Sequence, residues 1–221
     1  MRHLTQSRVM LQAALAALIT CVACCPRLLL WLERPYAAVP MCLMLFVCTY
    51  VLWAFVFAWQ KPYAGHPAFG SGFPPRLWAA ATLCAVAWAA ILHFLIDPQL
   101  RAVTPKEFPT SVTLWLAMAL FTVALNPLFL TFAPYAFFMR LFRRPQLCVP
   151  LTVLFGVFVL FLKLQSGAKL PPFSLALELT ALRLVGGFVA LFFYMRGGVP
   201  LVLWMVMIQE CRFGIDLAAA P

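Results

Sequence analysis

The sequence predicts an all-α, polytopic membrane bundle of about seven spans, with six to eight compatible with the pattern. Three observations carry that reading. Of 221 residues, 65% are hydrophobic and only 10% charged, with a mean hydropathy of +0.98; a soluble domain is roughly 45–50% apolar and 25% charged. Apolar runs of about 20 residues, the length that a bilayer core about 30 Å thick demands of a helix, recur along the whole chain. Between them stand short Pro, Gly and charge clusters of the kind that end helices. A water-soluble core has no room for this much apolar surface.

The first span, residues 9–32, follows Arg2 and Arg8 and so has the outline of a signal sequence. Its "LITC" places Thr20 where a lipoprotein site takes Gly or Ala, and the segment is read as an uncleaved first helix. "ERPY" leads to the second span, 39–59, and "QKPYAGHPAFGSGFPPR" to the third, 77–96. After "DPQLRAVTPKEFP" comes the long fourth span, 112–139. Asn126-Pro127 in its middle predicts a kink and a cleft: the proline breaks the hydrogen-bond ladder, and Asn126 can bond a freed carbonyl. "RRPQ" precedes the fifth span, 147–164, and "QSGAKLPP" the sixth, 173–195. The turn "RGG" folds the seventh, 199–215, back on the sixth as an antiparallel hairpin. No connection is long enough to fold alone. Residues 1–221 are therefore one integral membrane domain, with three spans in 1–110 and four in 111–216.

The net charge of +10 comes from 16 Lys and Arg against 6 Asp and Glu. The bases fall in ones and twos at span ends, as snorkelling anchors do, with no dense basic face for nucleic acid. With the N-terminus inside, the cytoplasmic segments hold 8 of them and the other side 7. The cluster "RLFRR" selects the N-inside orientation, in a cytoplasmic (inner) membrane.

The cysteines lie in or beside apolar spans, where they behave as small hydrophobes. Cys21, Cys24 and Cys25 share a helix face at i, i+3 and i+4, a spacing that suits a metal, but no fourth ligand stands near them in sequence; packing is the expected role and no metal is assigned. His93 with Asp97 at i+4 reads as a solvated pair at the membrane boundary. His3 and His66 are isolated in the tail and a loop. The chain has no HExxH, no phosphate-cradling glycine loop and no dinucleotide fingerprint.

Charges at lipid depth are costly and point to sites. Arg183 lies near the middle of the sixth span, about 14 residues before the "RGG" turn, and Glu210 about 12 after it, so their heights differ by a helical turn or less. An interhelical Arg183–Glu210 pair is expected, with Glu178 and Arg212 extending it into a network. Gly186-Gly187 permits close approach of a neighbouring helix.

The segments "NPLFLTFAPYAFFMRLFRR", "LTVLFGVFVLFLKL" and "LRLVGGFVALFFYMRGGVPLVLWMVMIQECRF" together resemble, in order and spacing over residues 125–213, the intramembrane protease family of CAAX prenyl endopeptidases and bacteriocin-processing enzymes (CPBP). That family's kinked span reads roughly "AP-x-x-EE-x-x-x-RG-F-L". Its paired glutamates fall here at Leu130 and Thr131, its arginine and glycine at Tyr135 and Ala136, and its last His and Asn near Met207 and Cys211, with Gln209 and Glu210 out of register. Water attack on a peptide bond needs a base and a group to hold the oxyanion, and these positions supply neither. The resemblance therefore implies a degenerate, non-catalytic member. The expected role is an accessory, scaffold or assembly subunit of a membrane complex, with the lipid bilayer and other transmembrane subunits as partners. Phe 21, Trp 7 and Tyr 5 suit lipid or pigment-like ligands; no cofactor is assigned. The alternatives are a hydrolase using Glu210 with His93, and a small-molecule or lipid carrier with a midplane site.

Overall fold

A computed structural model describes residues 4, 6–31, 35–69, 74–105, 108–166 and 171–219. Arg2, His3, Arg34, Lys106 and Lys169 lie outside them. Every regular element among the described residues is helical: α1 (Ser7–Trp31), α2 (Ala38–Ala64), α3 (Pro75–Ile91), α4 (Asp97–Val103), α5 (Val112–Pro127), α6 (Ala133–Phe142), α7 (Pro145–Ser166), α8 (Phe173–Glu210) and α9 (Arg212–Ala219). Six stretches are long and apolar enough to cross a bilayer, which makes this an integral, multi-pass membrane protein. Their outer faces carry exposed Ile19, Leu83 and Phe94, as lipid-facing helices do.

The ends follow local chemistry. Pro75 occupies the first turn of α3, where its missing N–H costs nothing. Ser111 caps α5 by accepting from the Leu114 N–H at 3.2 Å. Gly65 closes α2 with φ 80°, a left-handed conformation that glycine adopts without strain.

Two spans widen into single π-turns, Leu92–Ile96 before α4 and Leu128–Phe132 between α5 and α6. In each, the residue after the turn donates its N–H five residues back (Asp97 to the Leu92 carbonyl, Ala133 to the Leu128 carbonyl), and a proline follows, Pro98 or Pro134. A proline ring collides with the carbonyl four residues earlier, and the wider turn relieves that clash. The irregularity of the fourth span thus lies just beyond Asn126-Pro127, where α5 continues through Pro127, and is bracketed by Pro127 and Pro134.

The last crossing stretch, Phe173–Leu217, has 45 residues, about 68 Å if straight and more than twice a bilayer core. Gly198, with φ 72° and ψ −164°, divides α8 into two arms. Ala190 on the first arm and Val202 on the second line the same cavity, so the arms lie side by side as the "RGG" turn predicts. The loop after α2 seats this hinge: the Val199 N–H donates to the Ala68 carbonyl at 2.9 Å, and Phe69 stacks on Trp53 and Phe57.

α1 packs along α2 and α5, α2 along α6, and α8 against α3, α5 and α7. The core between them centres on Phe132, Tyr135 and Tyr194, with Phe132 and Tyr194 stacked at 4.7 Å. Glycines set the close approaches of α8: Gly186 faces Trp88 of α3, and Gly187 faces Val153 of α7.

Candidate functional site

Between α3, α5 with its π-turn, α7 and both arms of α8 lies a cavity of about 480 Å³. Most of its wall is apolar, from Trp88, Ile91, Leu130 and Val206 among others, and polar side chains converge on it: Thr122, Asn126, Thr131, Arg183, Gln209, Glu210 and Arg212. A few placed polar groups in an apolar cavity of this size describe a small-molecule site.

The polar groups divide by what they bond. Thr20, Thr49, Thr82, Thr104, Thr152 and Thr180 each return their hydroxyl to the carbonyl four residues back, the usual refuge of a helical threonine. Thr131, buried within the π-turn, does not; nor does Thr122. Among the described residues the side chains of Thr122, Asn126, Thr131, Arg183 and Gln209 make no hydrogen bond or ion pair. Asn126 thus faces the cavity and bonds no carbonyl.

Arg183 stands in the first arm of α8, about 22 Å from the hinge by helical rise. Its guanidinium lies flat against α7 at Gly156, where an added Cβ would come within 2.9 Å of Nη2 and 3.0 Å of Nε. A smaller pocket of about 40 Å³ opens beside it, between Thr131, Thr152, Gly156 and Gly187. The backbone clears space around this cation. No carboxylate among the described residues lies within 4.0 Å of it.

The expected Arg183–Glu210 pair is therefore not formed, although both residues reach the same cavity. The two arms match in height, but the acids are spoken for elsewhere. Arg212 donates from Nε to Asp97 Oδ2 at 2.9 Å and lies 3.9 Å from Glu210 Oε1; its Nη1 also donates to the Gln209 carbonyl at 2.8 Å. Glu178 accepts from Gln99 Nε2 at 3.2 Å. Trp115 Nε1 donates to the Glu210 carbonyl at 2.9 Å. Asp97, 3% exposed, pairs with Arg212 rather than His93. His93 Nδ1 is 3.7 Å from Asp216 Oδ1, and Asp216 also pairs with Arg101. The four described carboxylates thus gather where α4 meets α9 and the outer ends of the α8 arms. Asp216 is the member that sequence reasoning missed, and Asp97, expected as a solvated partner of His93, is buried and takes Arg212 instead.

The hydrolase reading needs Glu210 and His93 in one cleft; Glu210 lines the cavity, and His93 is not among its lining residues. Of the positions where the resembled family keeps its catalytic groups, Leu130 and Thr131 line the cavity, while Met207 and Cys211 are exposed. His66 is a loop residue, 3.4 Å from Gln60 Nε2. Comparison with family models, with curated proteins and with solved structures returns no match.

One sequence expectation about the cysteines is revised. Cys24 is fully buried and stands apart, while Cys42 of α2 joins Cys21 and Cys25. The missing neighbour came from the adjacent helix, which no spacing rule along α1 reveals.

Proposed function

We propose that this protein is a non-catalytic, membrane-embedded binder of amphipathic anions, holding a molecule with one phosphate or carboxylate head and an apolar body between α3, α5, α7 and α8. The observation that carries the reading is Arg183, a cation with no carboxylate partner among the described residues, in a cavity of about 480 Å³ with Gly156 making room for its guanidinium. An arginine near the centre of a span costs at least about 2.5–3.5 kcal/mol unless something neutralises it. Guanidinium binds carboxylate and phosphate in a bidentate fork. Thr131 beside it offers a hydroxyl with no other partner, and the apolar wall suits an acyl or isoprenoid body.

The test uses the full chain released in mild detergent. Native mass spectrometry should find a copurified anionic amphiphile, and titration with a short-chain phosphatidate and with a medium-chain fatty acid tells the two head groups apart. Arg183→Gln should weaken binding of the preferred head at least tenfold, with Arg183→Lys in between. Equal binding by wild type and Arg183→Gln overturns the proposal, and so does cleavage of peptide by the purified protein.

An accessory role in a larger membrane complex is a second reading. Its support is an outward groove of about 280 Å³ lined almost wholly by Leu52, Phe55, Phe129, Phe137, Phe138 and Phe155. A stoichiometric transmembrane partner retained in mild detergent and lost on Phe137→Ala would favour it. Kinship with the CPBP proteases rests on the apolar frame of the motifs alone. The N-inside orientation rests on the cluster of Arg140, Arg143 and Arg144, and a reporter fused to either end of the chain tests it.

A further inference from the structure

Away from the cavity, three thiols meet between α1 and α2. Cys21 and Cys25 stand one helical turn apart on α1, and Cys42 lies in the opening turns of α2. The Cys25 and Cys42 sulfurs are 3.4 Å apart, the Cys21 sulfur is 3.4 Å from the Cys42 carbonyl, and all three sulfurs lie within 4.8 Å of one another. Cys21 is buried; Cys25 and Cys42 are half-buried.

Thiols scattered by packing alone have no reason to converge from two helices. Three sulfurs at about 2.3 Å from a common ion stand about 3.8–4.0 Å from one another, inside the range the three already span. Small rotations about the Cα–Cβ bonds complete the triangle. Among the described residues no histidine or carboxylate atom belongs to the group. An all-sulfur, three-ligand set favours a soft cation, and Cu(I) accepts it as it stands, whereas Zn(II) demands a fourth ligand. A monovalent ion is also the easier to strip of water for a site about 9 Å inside the end of α1.

We infer that Cys21, Cys25 and Cys42 form a thiolate site for one soft monovalent metal ion of the Cu(I) class. Binding exchanges thiol protons for the ion: each coordinating S–H releases its proton to solvent, and no electron is transferred. The site shares no residue with the cavity around Arg183.

The experiment is anaerobic titration of the reduced full chain in detergent with Cu(I), against a chromophoric Cu(I) chelator. Wild type should take one equivalent that resists the chelator, with X-ray absorption showing sulfur ligands only. Cys42→Ser and Cys25→Ser should lose that equivalent. Cys24→Ser, altered on the same helix outside the triangle, and Arg183→Gln should keep it. Retention of the equivalent in Cys42→Ser overturns the inference, as does its absence from wild type whose thiols all react with a maleimide. Zn(II) bound in preference to Cu(I) overturns the choice of ion. A Cys25–Cys42 disulfide in freshly isolated protein that binds no metal once reduced points to a redox pair instead and equally overturns it.

Discussion

Arg183 reaches the cavity from the first arm of α8 and Arg212 from the start of α9, and their surroundings differ in kind. Arg212 is held by Asp97 at 2.9 Å, by the Gln209 carbonyl and, more loosely, by Glu210. Arg183 has a glycine beside its guanidinium and, among the described residues, no carboxylate within 4.0 Å. A buried ion satisfied by its own chain belongs to the fold, and removing its partner strands it. A half-buried ion with its bonds unmade costs stability and adds no structural contact in return.

The comparison breaks most visibly at Asp97. Asp97→Ala takes from Arg212 its 2.9 Å carboxylate partner and leaves it the Gln209 carbonyl and the looser Glu210 contact; stability should fall by about 3 kcal/mol, read as unfolding in mixed detergent and SDS, and Asp97→Asn with Arg212→Gln should recover much of that loss. Arg183→Leu should act in the opposite direction. In lipid-depleted detergent it removes an uncompensated charge and should raise stability, by up to about 3 kcal/mol on insertion scales. A stability loss there as large as at Asp97 would mean that Arg183 has a structural partner after all.

Gly156→Ala sharpens the point from the other side of the contact. Its Cβ would come within 2.9 Å of the guanidinium, which as the tip of a flexible side chain can swing aside, so stability should change little while anion binding weakens; Arg183→Lys combined with Gly156→Ala should bind no better than Arg183→Lys alone. Two threonines then separate structural from available hydroxyls. Thr152→Val loses a hydrogen bond to the Cys148 carbonyl and should cost about 0.5–1.5 kcal/mol, whereas Thr131→Val should leave thermal stability unchanged while reducing affinity for the anion. Smallest of all, Arg101→Ala breaks an exposed pair with Asp216 and should shift unfolding by only about 0.2–1 kcal/mol.

Much of the architecture was legible before any coordinates. Hydropathy placed the start of each crossing stretch to within two residues, while the second and third run on past their expected ends, to Ala64 and Val103; each helix must satisfy its own backbone in lipid whatever its neighbours do. The "RGG" hinge was legible for a related reason: only a left-handed residue turns the chain there, and Gly198 supplies it. The site was legible in part. Helical rise put Arg183 and Glu210 at similar depth, and both do line one cavity. Rise along an axis says nothing of rotation about it, however, and rotation decides which carboxylate a guanidinium meets. The π-turns add a local twist that period-3.6 reasoning does not carry. The turn at Leu92–Ile96 helps to set where Asp97 points, and that at Leu128–Phe132 goes with a Thr131 hydroxyl bonded to no carbonyl.

The sequence by itself determined a membrane bundle, the bounds of its spans, its hairpin and the depth of its charges, because each depends on composition and on distance along one helix. Tertiary structure alone decided that Arg183 meets no carboxylate among the described residues, that Asp97 takes Arg212, and that Cys42 rather than Cys24 completes a thiol triangle. Those outcomes depend on which faces of separate helices meet. Packing between helices sets that, and no single segment encodes it.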